Sequence, residues 1–260
     1  MAGYPDLLID PVDSTGERAL VIDGLPGAFV LHFQPEYDLR SKQITGCEAL
    51  LRWSHPEYGL LRPGASLHHT KWSDALGEAE DWATAAVIDE VASWGSDGVN
   101  LQAALNLSAR QLEDPGLPRS IAQALAASGA DPRQLRVDVP VGAFTTKRLV
   151  VIETVRELDD SGVTIVADGV TGDPRAPLAG MPVGIVKINI HVGRRRNRDR
   201  LHPLVSSSIE LAKDLGAISV AKAVRHTGDL DVLRLAGFDR AFGDVLSPAL
   251  PASDLLDLLR

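Results

Sequence analysis

Residues 135–168 read LRVDVPVGAFTTKRLVVIETVRELDDSGVTIVAD, and the fold turns on how that stretch is taken. Leu135–Val139 and Thr164–Ala167 are short runs rich in valine and isoleucine, the composition of a buried strand. Between them Lys147–Ser161 has helical spacing and stops at Gly162, a residue able to take the left-handed conformation that follows a helix. Strand, helix and strand in one short stretch is the unit from which parallel sheets are built.

The same unit repeats outward in both directions. Further strand candidates are Phe29–Gln34, Thr45–Leu51, Leu101–Leu107, Gly184–Ile188, Ala217–Ala221 and Phe238–Phe242. Most are continuous apolar runs, which marks strands covered on both faces. Helical stretches lie between them: Ser73–Trp94 before Gly95, Pro118–Ser128 before Gly129, Ser206–Leu215 before Gly216, and Asp229–Ala236 before Gly237. A repeat of roughly 20–30 residues fits one barrel of alternating strands and helices, with an open doubly wound sheet as the alternative. Residues 1–26, broken by Pro5, Pro11, Gly16, Gly24 and Pro26, read as a short arm with a strand at Ala19–Ile22. Residues 27–260 read as the barrel domain.

Composition narrows the class. The chain has 260 residues, 45% apolar and 23% charged, enough for a substantial core. Twenty-six basic residues against 35 acidic give a net charge of -9, which excludes a coat for nucleic-acid polymers. A single cysteine, Cys47, excludes an internal disulfide and a cysteine-based zinc site, and reads as a packed strand residue. No apolar run approaches the ~20 residues of a membrane span. The opening MAGYPDLLID lacks the pattern of a signal peptide, so the expected location is cytoplasmic.

Polar residues interrupt or end the apolar runs in a repeated way: Glu48, Asn106, Asp138, Asp168, Lys187 and Lys222. Strand ends reach solvent, so one such residue is unremarkable. Recurrence across six units points to the C-terminal rim of a barrel, where chemistry gathers. Carboxylates with an amide are the donors preferred by hard cations such as Mg²⁺.

Several segments carry a more specific resemblance. Cys47-Glu48-Ala49-Leu50-Leu51-Arg52-Trp53 resembles the E-A-L-L-R-W signature of EAL domains, which hydrolyse cyclic di-GMP. Phe33-Gln34-Pro35, His55-Pro56-Glu57-Tyr58-Gly59-Leu60, Asn106-Leu107-Ser108-Ala109-Arg110-Gln111-Leu112 and Val186-Lys187-Ile188-Asn189 resemble other segments of that family, in order. The resemblance implies a modified barrel of eight strands with one antiparallel. It implies two Mg²⁺ or Mn²⁺ ions that activate water against a phosphodiester and yield pGpG. By the same resemblance Glu48, Asn106, Asp138 and Asp168 occupy the metal positions and Lys187 the catalytic lysine position. Gln34, Leu51 and Arg52 occupy positions that contact the dinucleotide, a guanidinium being suited to phosphate. Homodimers and protein partners also follow from it.

The departures are concentrated at the site. Where the family has E-x-T-E, this chain has Asp138-Val139-Pro140-Val141, so Val141 replaces a glutamate that anchors a neighbouring loop. Gly169 stands where a second metal aspartate is found. Lys222 and Arg225 stand where the family has the glutamates of A-E-G-V-E, and Phe242-Gly243-Asp244 replaces Q-G-Y. A unit charge ~4 Å from a divalent ion, at an effective dielectric of ~20, interacts at roughly 8 kcal/mol. An inward Lys222 therefore opposes a metal; equally, it replaces a cation by pairing with Asp168 or Glu48. The expected function is that of a degenerate, non-hydrolysing regulator of cyclic di-GMP signalling. It would need no metal and would act by binding the dinucleotide, a protein partner, or both. A weakened metal-dependent phosphodiesterase and a protein-binding module without nucleotide affinity are the other readings.

Three further features stand apart from the resemblance. Arg194–Arg200 is a dense basic run, read as a solvated loop or as a contact for an acidic surface. His68, His69, His202 and His226 lack metal-ligand spacing and read as surface or structural residues. Trp72, Trp82 and Trp94 are expected to pack the first long helix on the barrel.

Overall fold

The computed structural model describes residues 18–63, 73–145, 149–190 and 203–260. Eight of its strands close into a barrel. In chain order these are β2 (Ala28–Asp38), β3 (Ile44–His55), β5 (Gln102–Asn106), β6 (Leu135–Pro140), β7 (Thr164–Val170), β8 (Val183–Asn189), β9 (Ile218–Lys222) and β10 (Arg240–Ala241). Neighbours from β3 round to β10 are parallel, whereas β2 is antiparallel to both β3 and β10 and closes the ring. This is the modified barrel, and the open-sheet alternative is excluded. Two short strands extend it: β1 (Ala19–Leu20) beside β2, and β4 (Gly59–Leu61) beside β3.

Most helices fall where the glycines predict. Asp229–Ala236 is a helix closed by Gly237 at φ +96°, and Leu117–Ser128 is closed by Gly129 at φ +75°. One stop is misplaced by sequence. The long helix α1 runs Ser73–Ser96, through Gly95, and ends before Gly98 at φ +76°. Gly95 serves packing instead: a Cβ there would stand 3.3 Å from the Gln134 amide oxygen. Trp82 and Trp94 on α1 are buried against the barrel, while Trp72 lies outside the described residues. The last barrel strand is shorter than Phe238–Phe242, because the Phe238 amide donates to Leu233 of the preceding helix and leaves the ladder.

A two-residue period places alternate side chains of each barrel strand inside. Arg136 and Asp138 share the inner face of β6, Ile185 and Lys187 that of β8, and Val220 and Lys222 that of β9. The interior is layered. Val166, Ile185, Val220 and Phe242 form a small apolar plug, separate from the large core between barrel and helices. Below the plug, buried Arg136 donates to Glu36 at 2.9 Å and to Gln102 at 2.9 Å. Above it lies the polar layer at the C-terminal ends of the parallel strands. Among the described residues, no helix is long and apolar enough to cross a membrane.

Candidate functional site

Register explains how distant residues meet. Gln34 on β2 pairs with Glu48 on β3, Asn106 on β5 with Asp138 on β6, and Asn189 on β8 with Lys222 on β9. Glu48, Asn106, Asp138, Asp168, Lys187 and Lys222 therefore gather at one end of the barrel.

Lys187, buried at the centre, donates to Glu48 Oε2 at 2.7 Å and to Asp138 Oδ2. The Phe242 ring lies against it, its centroid 5.2 Å from Nζ, a cation–π contact. Lys222 donates to both oxygens of Asp168, at 2.9 and 2.8 Å, and its Nζ lies 3.9 Å from Glu48 Oε1. Asn106 donates to Glu48 Oε1 and to the Ala49 carbonyl, each at 3.2 Å. The carboxylates are thus held by ammonium and amide donors. The exception is Asp138 Oδ1, buried with no hydrogen-bond partner among the described residues.

Charge state follows from these contacts. Burial alone would raise Glu48, but the Lys187 and Lys222 ammoniums outweigh it and hold the carboxyl down at about 2. Burial dominates at Asp138; Lys187 opposes it, the negative charges of Glu48 and Asp168 reinforce it, and the carboxyl is pushed up to about 7. Lys187 and Lys222 are both raised: burial disfavours their charge, and the surrounding carboxylates more than compensate. Both lysines are therefore cations at neutral pH. Among the described residues, no group of three or more His, Cys, Asp or Glu is arranged to hold a metal ion.

Over this layer opens a cavity of about 600 Å³. Gln34, Glu48, Arg52, Lys222, Arg225 and Phe242 line it, as do Arg62 and Asp244. Leu51 and Asn106 line a smaller neighbouring cavity of about 390 Å³, with Arg52 shared between the two. Val141 opens a short helix after β6 and lines neither. Gly169 sits at φ +75°, where a Cβ would come no closer than 3.8 Å to the Asn189 side chain. Burial, reinforced by the neighbouring Arg62 charge, lowers Arg52 below the ordinary guanidinium value.

Sequence reasoning did not find the partners of Gln34. Its amide donates to Asp244 at 3.2 Å and to the Ser247 carbonyl at 3.0 Å, which holds the side chain across the cavity floor. Asp244 was visible only as a departure from Q-G-Y; its link to Gln34 spans most of the chain and leaves no local signal. Arg62 carried no motif at all. The Arg194–Arg200 run, with His68, His69 and His202, lies outside the described residues.

A mixed barrel with its second strand reversed and an acid–amine cup at the strand ends defines a class, and the comparisons identify it. The family model for the EAL domain matches residues 21–249, and the chain belongs to that family, whose setting is cyclic di-GMP signalling. It is similar to the cyclic di-GMP phosphodiesterase PdeR of Escherichia coli, 24% identical over 244 residues, with 93% of this chain and 36% of that one covered. Among solved structures it is similar to the phosphodiesterase PaMucR in complex with cyclic di-GMP, at 25% identity and a TM-score of 0.78, covering 87% of this chain and 94% of that one. The EAL domain of DcpA from Mycobacterium smegmatis is also 25% identical, with a TM-score of 0.73 and coverage of 89% and 97%. The chain spans only about a third of the length of the curated relatives it matches, the covered shares being 28%, 32% and 36%.

Proposed function

We propose that this EAL domain acts in cyclic di-GMP signalling by binding the dinucleotide and passing the bound state to a protein partner, without hydrolysing it. One observation carries the reading: the Lys222 ammonium lies on both oxygens of Asp168, at 2.8 and 2.9 Å. Glu48, Asn106, Asp138 and Asp168 are the donors that would hold Mg²⁺ or Mn²⁺. Three of those side chains already pair with Lys187 or Lys222. The donor set does not fit a pair of divalent ions, since each ion would have to displace an ammonium from its carboxylate. Gly169 supplies no ligand where a second aspartate would stand. Without the ions the cup lacks the divalent charge that would activate an attacking water, and both lysines are held in the protonated form, unable to accept its proton.

Support for binding comes from the cavity. It is roomy, walled by Arg52, Arg62 and Arg225, and lies over the strand ends of a barrel whose relative PaMucR was solved with cyclic di-GMP. A weakened phosphodiesterase is the second reading. It is favoured by Asp138 Oδ1, a buried carboxylate oxygen of the site with no hydrogen-bond partner among the described residues.

Incubation of purified protein with cyclic di-GMP and saturating Mg²⁺ or Mn²⁺, followed by chromatography, decides between them. The expected result is intact cyclic dinucleotide. Sustained release of pGpG by folded protein overturns the proposal.

A further inference from the structure

The walls of the larger cavity carry more positive than negative charge: Arg52, Arg62, Lys222 and Arg225 face Glu48 and Asp244. That is the reverse of the chain as a whole, with its net charge of -9. Two of the cations come from one turn. Lys222 ends β9, Ala223 takes φ +63°, and buried Val224 is pinned by its amide, which donates to the Phe242 carbonyl. The left-handed residue turns the chain so that Lys222 reaches into the cup while Arg225 stands on the rim of the same cavity.

Lys222 and Arg225 have capacity to spare. An ammonium has three N–H donors, and Lys222 places two on Asp168. Its side chain is 24% exposed, so the remaining donor is not sealed from the cavity. Arg225 is exposed and makes no ion pair with any described residue. A guanidinium with no carboxylate partner among the described residues, lining the same cavity as an ammonium already fixed in place, suits a phosphodiester oxygen pair.

We infer that this cavity holds its phosphodiester ligand without a divalent cation, Lys222 standing in the place of an ion and Arg225 giving the anion a direct contact. The inference rests on the cyclic di-GMP reading above and adds to it which charges hold the phosphates. An ion at Asp168 would meet the ammonium already bonded there; a phosphate at the same point meets a donor.

Isothermal titration calorimetry of the protein with cyclic di-GMP, in excess EDTA and in excess Mg²⁺, tests it. The two affinities are expected to agree within about twofold. Arg225→Ala is expected to weaken binding about tenfold or more in both buffers, the loss of a charge-assisted hydrogen bond. Lys222→Glu is expected to abolish binding in EDTA and to make it depend on Mg²⁺. That variant sets a carboxylate against Asp168, so Lys222→Met is measured beside it, with circular dichroism to establish folding; its affinity falls in both buffers. Tenfold or greater tightening of the unmodified protein by Mg²⁺ overturns the inference while leaving the ligand reading intact. An unchanged affinity in Arg225→Ala overturns the role of that residue. No heat of binding in either buffer overturns the ligand reading itself, and the inference with it.

Discussion

Ala223 sits at φ +63°, in the left-handed region that only glycine enters without a steric penalty. An L-residue there costs about 1–2 kcal/mol, while replacing alanine by glycine loosens the unfolded chain by about 0.4–1 kcal/mol. Strain relief wins, so Ala223→Gly is expected to stabilise the protein by roughly 0.5–1 kcal/mol, read as a rise in the urea midpoint. A lowered midpoint would show that the Ala223 methyl packs against something worth more than the strain. At this scale the sequence was partly legible. A lysine ending an apolar strand run was visible as an inward charge, and so was its choice between Asp168 and Glu48. The choice itself was not, because it depends on how far β7 and β9 stand apart across the ring, a distance set by closure and by no local pattern. The backbone at Ala223 left no mark either, since alanine does not advertise a positive φ as glycine does.

The strands show why a residue type is demanded by an element that is far off in sequence. Arg136 crosses the barrel interior from β6 and donates to Glu36 at 2.9 Å, to Gln102 at 2.9 Å and to the Thr45 carbonyl at 3.2 Å. It passes directly over Gly46 of β3, where a Cβ would overlap the guanidinium. An exposed arginine would swing aside. This one is fully buried and tied on three sides, so it yields only by breaking those bonds. Gly46→Ala is therefore expected to cost about 1–3 kcal/mol, the range for overpacking a core, measured by chemical denaturation. A cost within the ±0.5 kcal/mol usual for surface changes would mean that the Arg136 guanidinium is mobile. Element order was legible because apolar runs and terminal glycines alternate along the chain. What escaped was packing between elements: Gly95 looked like a helix stop because glycine is the common stop, yet α1 runs through it to make room for Gln134. Phe238–Phe242 looked like a full strand because it is apolar, whereas its first amide belongs to the helix before it.

The chain carries a net charge of -9 yet buries ion pairs within the barrel, and the ring is closed by charge as well as by hydrogen-bond ladders. Glu36 on β2, the reversed strand, is 2% exposed and accepts from Arg136 of β6 at 2.9 Å and from Arg240 of β10 at 3.0 Å. Three strands from different parts of the chain thus meet at one carboxylate. Burial alone would raise its pKa; the positive charges of Arg136, Lys187 and Arg240 outweigh burial and lower it below the ordinary glutamate value. A carboxyl with a lowered folded pKa stabilises the fold at pH above its unfolded value and loses that contribution as pH falls through the folded one. Glu36→Gln removes the charge while keeping the shape, and leaves Arg136 buried without its counter-ion, which costs about 3–5 kcal/mol near neutrality. The gap between the parent and Glu36→Gln is therefore expected to be largest above about pH 5, where an unfolded glutamate is ionised, and to narrow steadily as the pH is lowered below that point. Denaturant midpoints of both proteins across the acid range measure it. Curves that stay parallel down to the acid limit would mean that the buried charge contributes nothing to closing the barrel, and that neutral hydrogen bonds from Arg136 suffice.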